Sequence, residues 1–480
     1  MKKFFEKHDL FKLSGLFLLI AVILTWLVST NSYQGGVLYS EEMTRVGLFD
    51  ISTYSLLGFY YFTVIFMFIF IVAGFYKFLG STEAYNRLTE KIAGWFAGKE
   101  KVFVAISILV YACLAGISTE YFVLLAFIPF TISILAKMNV DKITGLLSTF
   151  GGVLVGILGS TYSLKIVGNL TDATTALGVA YNYDKMGIAV IFIVAYLLLC
   201  YFAFARLNKA VKENEALVDP FITVIPEEKA VKKKGKNVVV KRKVKVLPLA
   251  ITLIVAFIII ALAFINWEKG LGITVFADAY NWIKNATLFD QPIYSYILGN
   301  MFLSFGNWDL FGACTIIFIA TLIVKVLYRI PFDNILTEYA EGFKKISKSI
   351  IILLVIYNVL IVSFVFPTIA YFVDSIVSLG DNMFTLFAGG ALTSIFAVDF
   401  QFVVGLIGSL FATFENAQIS ALILQAAYGF VGFIAPTSAV LMLGLSMLDI
   451  KFKDYFKAIW KFLLALLIVV LVVLAILMYV

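Results

Sequence analysis

The sequence predicts an all-α polytopic membrane protein, with about nine transmembrane helices and two re-entrant hairpins set in two inverted-topology repeats. Three observations predict it. First, the 480 residues are 62% hydrophobic and only 14% charged, with a mean hydropathy of +1.00, far from the balance of a soluble domain. Second, two long apolar runs each carry one central acid: Glu120 between Val102 and Ala136, and Asp399 between Met383 and Phe411. A straight helix over the first run would be about 50 Å long, against a hydrocarbon core of roughly 30 Å. Lys101 and Lys137 flank that run alike, so a hairpin that enters and leaves on one side fits both its length and its ends. Third, the basic residues fall in short loops between apolar segments, where they set orientation.

In chain order, a tail with Lys2, Lys3 and Lys7 leads to a first span over Leu13–Val28, which lacks a small-residue cleavage site and reads as retained. A polar loop with Glu41, Glu42 and Arg45 precedes an aromatic span, Tyr54–Tyr76. The stretch from Ser81 to Gly98 is amphipathic and too polar to cross, which suits an interfacial arm. The first hairpin, 102–136, follows. Ile143–Gly168 is a glycine-rich span that runs into Ser160-Thr-Tyr-Ser163, where hydroxyls and small residues imply unwound backbone. Gly187–Ala205 crosses back. Arg206–Lys245 holds twelve basic residues against five acids and reads as a solvated cytoplasmic linker.

Leu247–Ile265 spans again, and the segment to Asp309 carries Trp267, Trp282 and Trp308 in the manner of interfacial helices. Phe311–Leu327 and Ile350–Phe366 are further spans, separated by a basic amphipathic piece with Lys344, Lys345 and Lys348. Pro367–Asp381 forms a second arm before the second hairpin, 383–411. Ala417–Leu448 is another glycine-rich span, broken at Ala435-Pro-Thr-Ser438, and Tyr455–Val480 closes the chain.

Each half therefore repeats one order: span, arm, hairpin with a central acid, broken glycine-rich span, span. Glu120 precedes Thr161 by 41 residues and Asp399 precedes Thr437 by 38. With the N-terminus inside, five crossings separate the arms, so the halves are inverted: 1–206, the linker 207–246, and 247–480. Only Arg45, Lys185, Lys269 and Lys284 then fall outside and Lys165 near the membrane, leaving 32 of 37 basic residues inside. Inverted repeats with discontinuous segments describe a secondary transporter.

The candidate substrate or ion ligands follow from the breaks. Glu120 and Asp399 are acids at apolar tips, costly unless they face a protein-lined cavity. Ser118, Thr119, Gly159, Ser160, Thr161, Pro436, Thr437 and Ser438 supply hydroxyls and freed backbone groups beside them. Lys165 either meets a substrate carboxylate or snorkels to the outer interface. Glu415-Asn-Ala-Gln418 reads as loop. The sole histidine, His8, sits in the tail, which denies histidine-based catalysis, and Cys113, Cys200 and Cys314 lie in apolar spans with no metal spacing. No enzyme, no cofactor beyond coupling Na⁺ or H⁺, and no nucleic acid partner is expected.

Several of these residues fall in recognisable runs. Gly74-Phe-Tyr, Glu83-Ala-Tyr-Asn-Arg87, Gly116-Ile-Ser-Thr-Glu120 and Gly159-Ser-Thr161 resemble the YfcC-type carriers of the ion-transporter superfamily. Gly429-Phe-Val-Gly-Phe-Ile-Ala-Pro-Thr-Ser438, Gly444-Leu and Tyr455–Trp460 extend the likeness. These carriers are described as basic amino-acid antiporters and are related to the p-aminobenzoyl-glutamate and C4-dicarboxylate carrier families. The resemblance implies a homodimeric, elevator-type carrier with two re-entrant hairpins. The sequence departs from the family at the tips: Thr119-Glu120 stands for paired acids, and Phe396-Ala-Val-Asp-Phe400 for a Ser-Gly-Ser-Gly run. An Asn-Pro expected after the first break is replaced by Tyr162-Ser163-Leu-Lys165.

The expected function is a secondary active transporter of a small charged organic solute, an amino acid or a carboxylate, by elevator-type alternating access. It would sit in a bacterial cell membrane with its N-terminus cytoplasmic. The other reading is a transport-inactive structural or regulatory membrane subunit derived from such a carrier.

Overall fold

The computed structural model describes residues 9–34, 36–178, 185–222, 231–233, 236–238, 244–299, 301–380, 382–414 and 416–479. The basic tail with His8, much of the linker, and Glu415 lie outside the described residues. The described chain is nearly all helical, and eight of its helices are long and apolar enough to cross a membrane.

Helix α1, Asp9–Leu27, leads into a short hairpin of β1, Asn31–Gln34, and β2, Val37–Ser40. The expected span Tyr54–Tyr76 is instead two helices, α2, Leu48–Tyr61, and α3, Thr63–Gly80. They part at Phe62, whose ring stacks on Tyr357 with centroids 3.8 Å apart. Helix α4, Glu83–Trp95, is the amphipathic arm. Thr82 caps it by accepting from the Tyr85 amide, and its buried Tyr85 hydroxyl meets Ser133 Oγ at 2.8 Å.

Helix α5, Glu100–Ile117, is 18 residues and so about 27 Å long, by length alone enough to cross. It stops at Ser118, whose backbone turns extended and pairs as a β-bridge with Ile265. A 3₁₀ turn, Tyr121–Ala126, starts the way back, and α6, Ile128–Lys137, continues it with Pro129 in its first turn. Helix α7, Lys142–Leu146, passes through a π turn into α8, Gly152–Leu158. Gly156 is where α8 crosses α5: a Cβ there would lie 2.3 Å from the Ala112 carbonyl oxygen. Helix then stops at Leu158, restarts as a π turn at Leu164–Gly168 and continues as α9, Asn169–Ala176. Helix α10 spans Lys185–Leu207.

In the second half, α11, Leu247–Phe264, is followed by the short helices α12, Val275–Asn285, and α13, Ile293–Leu298, and then by α14, Leu310–Tyr328. The basic amphipathic piece and the span Ile350–Phe366 are not separate: α15 runs unbroken over Phe332–Val365. It contains no proline, and its one glycine, Gly342, serves packing, since a Cβ on it would meet the Ala73 carbonyl oxygen at 2.6 Å. The second arm is α16, Ile369–Val377. Helices α17, Met383–Ala397, and α18, Phe400–Ile407, form the second helix–turn–helix unit. They are followed by α19, Ala417–Gly432, α20, Ala439–Met447, and α21, Phe452–Tyr479.

Candidate substrate site at the hairpin tips

Each tip acid first serves its own backbone. Glu120 opens the 3₁₀ turn by accepting from the Phe122 amide at 3.0 Å, and Asp399 opens α18 by accepting from the Gln401 amide at 3.4 Å. Each thus uses one carboxylate oxygen two residues ahead, a local cap that leaves the other oxygen free to point away. Those second oxygens converge. Lys165 Nζ stands 2.8 Å from Glu120 Oε2 and 3.2 Å from Asp399 Oδ2, so one ammonium closes both tips. All three side chains are largely buried. The same Nζ lies 4.9 Å from the centre of the Tyr121 ring, which adds a cation–π contact.

The breaks hold this arrangement in related ways. At the first, the Gly116 carbonyl accepts from the Thr161 and Tyr162 amides at 3.2 and 3.0 Å and from Ser160 Oγ at 3.3 Å. At the second, Thr437 Oγ1 donates to the Ile395 carbonyl. Both carbonyls belong to the residue four positions before the tip acid, which is the last turn of the incoming helix, where carbonyls lack helical partners. The breaks thereby supply donors for groups that the helix ends would otherwise leave unsatisfied.

Around this frame, Gln425 Nε2 on α19 donates to the Ser160 and Leu158 carbonyls at 2.8 and 3.3 Å. Tyr428 hydroxyl donates to the Val398 carbonyl at 3.1 Å and meets the Tyr121 hydroxyl at 3.4 Å. The first tip is further tied to the end of α11: the Thr119 amide donates to Phe264 at 2.7 Å and the Asn266 amide to Ile117 at 3.0 Å. Asn266 Nδ2 also donates to the Tyr162 carbonyl at 2.8 Å. Three buried oxygens, Ser118 Oγ, Ser163 Oγ and Gln425 Oε1, have no hydrogen-bond partner, and all lie on segments that meet at the first break.

The second tip is strained. Val398 has φ +49° and ψ −48°, and the Asp399 amide bonds back to Ala397, which makes a tight three-residue turn of the uncommon positive-φ kind. A β-branched residue adopts that backbone only under constraint.

The structure therefore brings Glu120, Asp399, Gly159, Ser160 and Thr161 to one cluster, with Ser118 and Thr119 at its edge. Thr437 holds the second tip through Ile395, whereas Pro436 and Ser438 bond elsewhere: Pro436 accepts from Ser14 on α1, and Ser438 caps α20 through the Leu441 amide. The central residue that sequence reasoning undervalued is Lys165. It sits inside the cluster and not at an outer interface, because two carboxylates offer it better than a headgroup could. Tyr121, Tyr428 and Gln425 carried no signal beyond the general aromatic and apolar richness. No group of three or more metal-ligating side chains occurs among the described residues.

Eight helices long enough to cross a membrane, with shorter apolar helices broken beside a buried charge cluster, agree with a membrane carrier. A family model described as C4-dicarboxylate anaerobic carrier matches residues 8–479, and the chain belongs to that family. Among solved structures, it is similar to the YdaH transporter of Alcanivorax borkumensis at 10% identity, TM-score 0.43, with 97% of each chain covered. It is also similar to MtrF of Neisseria gonorrhoeae, described as illuminating a class of antimetabolite efflux pumps, at 12% identity and TM-score 0.35, covering 98% of this chain and 94% of that one. No curated protein sequence matches it.

Proposed function

We propose that the chain is a secondary active carrier of amino acids, basic ones foremost, which it binds between the two tips and moves by elevator-type alternating access as a homodimer in the cell membrane. The two tip units act as re-entrant hairpins of inverted repeats, and the driving force is H⁺, Na⁺ or exchange. One observation carries the substrate class: Lys165 is paired with both Glu120 and Asp399. Two carboxylates and one ammonium leave the ionised cluster at formal charge −1. A basic amino acid brings that to zero and a zwitterion leaves it at −1, whereas a dicarboxylate drives it to −3 in a poorly solvated place. The solute ammonium takes the place of Lys165 on the acids, and the released Lys165 meets the solute carboxylate.

Membership of the C4-dicarboxylate family favours a second reading, in which a dicarboxylate enters with protons that neutralise the tip acids. Proteoliposome uptake of labelled lysine, arginine, aspartate and succinate under imposed pH and Na⁺ gradients separates the two. Lysine uptake that is lost in Glu120→Gln and in Asp399→Asn is the expected result. Succinate uptake that rises with an inward proton gradient, without amino-acid uptake, moves the assignment to the second reading. Absence of uptake and of exchange for every solute, in protein that remains folded, overturns both in favour of a transport-inactive subunit.

A further inference from the structure

A cavity of about 940 Å³ lies far from the tip cluster, between the C-terminal end of α10, the N-terminal end of α21 and the start of α7. Its rim carries Lys142, Arg206, Lys209, Lys451, Lys457 and Lys461, against Asp141, Glu215, Asp449 and Asp454. These charges are not interchangeable. Arg206 is spent on Asp141, with Nε at 2.9 Å from Oδ2. Asp454 lies in the first turn of α21, where the helix dipole favours an acid, and Asp9 accepts from the Phe452 amide of that turn at 3.0 Å. The five lysines have no ion-pair partner among the described residues.

The lining also holds the apolar and aromatic side chains Phe202, Ile459 and Trp460. Helices α10 and α21 both qualify as membrane spans, and Tyr201, Trp460 and Leu464 on them are exposed outward. All of the lysines but Lys142 therefore sit at the ends of two spans, and the outer faces of both spans beside them expose apolar side chains such as Leu197, Leu464 and Ile468. Tryptophan at the end of a span belongs to the interface, and basic pockets between spans hold anionic headgroups. A covering segment of the chain's own linker does not match the charge, since 229–243 is itself lysine-rich.

We propose that this cavity is a binding site for an anionic phospholipid, whose phosphate is held by Lys209, Lys457 and Lys461 while its acyl chains lie along the exposed apolar faces of α10 and α21. The occupant is set by both halves of the site: a free phosphate would use the lysines and leave the exposed apolar faces uncovered, and a zwitterionic lipid would cover those faces and gain little from the lysines. The site is separate from solute recognition and stands whether or not the amino-acid assignment does.

Detergent-purified full-length protein is titrated with phosphatidylglycerol, phosphatidylcholine and inorganic phosphate, with thermal shift and native mass spectrometry as readouts. Phosphatidylglycerol alone is expected to stabilise and to remain bound. A Lys209→Gln, Lys457→Gln, Lys461→Gln variant binds it at least about tenfold more weakly, and the matching arginine variant retains it. Equal stabilisation by inorganic phosphate or by phosphatidylcholine overturns the lipid assignment, as does full retention in the glutamine variant. Independently of any variant, a photoreactive phosphatidylglycerol should cross-link wild-type protein within 197–209 and 449–464. Cross-links confined to other segments also overturn the proposal.

Discussion

Lys165 is the residue on which the tip cluster depends, and its removal has a calculable sign. Lys165→Met leaves Glu120 and Asp399 facing each other without a cation, an arrangement that typically costs about 3 to 5 kcal/mol. Neutralising all three, with Glu120→Gln and Asp399→Asn added, should recover most of that loss, because no uncompensated charge remains. A thermodynamic cycle on melting temperature checks it; a triple variant as unstable as the single one would assign the loss to packing. Val398 makes a second test. A buried valine cut to glycine ordinarily costs about 2 to 4 kcal/mol, but here relief of a positive φ returns roughly 1 to 3 kcal/mol. Val398→Gly is thus expected to cost about 1 kcal/mol, less than an ordinary buried valine cut to glycine, measured by denaturation in detergent. The acids were readable from sequence because each is the only carboxylate in a long apolar run. Lys165 was not, since a lysine that snorkels and one that closes a site look the same in one dimension, and only the fold brings 120, 165 and 399 together.

At the scale of elements, the breaks at 159–163 and 433–438 were legible because hydroxyls and proline interrupt glycine-rich apolar stretches. The division of Tyr54–Tyr76 at Phe62 and the continuity of α15 were not: the first goes with stacking on the distant Tyr357, and the second hid behind a change from polar to apolar residues with no proline at it. Helix contacts made by glycine yield a sharp comparison. Gly156→Ala should destabilise by about 1 to 3 kcal/mol, because the new Cβ meets backbone. Gly15→Ala on α1, with nothing within 4 Å, should be neutral or stabilising by up to about 1 kcal/mol.

The segment 216–222 offers a pH test at the same scale. It is pinned by the Leu217 amide to Val140 at 2.9 Å and presses Phe221 against Gly80. Within it, burial pushes the Asp219 carboxyl up, partly offset by Ser133, the Phe221 and Ile222 amides and Lys137. Its Oδ2 has no hydrogen-bond partner. A carboxyl raised in the folded state adds stability that is complete below the ordinary carboxylate range, about 3.9, and is lost as pH rises through the folded value. Asp219→Asn keeps the acceptor and removes the titration. Its melting temperature should exceed wild type at pH 8 and match it near pH 4, as a pH series of thermal melts would show.

Across the whole molecule, apolar composition and the spacing of acids against breaks announced a helical membrane carrier, and the family match over 8–479 agrees with that class. The side-chain partners that knit the halves are long-range and therefore unreadable: Gln425 to Ser160, Tyr428 to Tyr121, Asn266 to Tyr162. They run between segments that are 100 to 300 positions apart, roughly, where no local periodicity reports contact.

The pairing of Lys165 with both tip acids also bears on the unloaded half of a transport cycle. A carrier whose vacant site exposes bare carboxylates is held on one side until cargo neutralises it, and it performs only one-for-one swapping. In the proposed carrier, Lys165 supplies one positive charge to the vacant site and so lowers the charge that a reset without cargo would carry. Lys165→Met should shift that balance: efflux into solute-free buffer should fall far more than homoexchange in the same vesicles. Equal loss of both would mean that the lysine acts in the fold or in solute binding and leaves the reset step untouched.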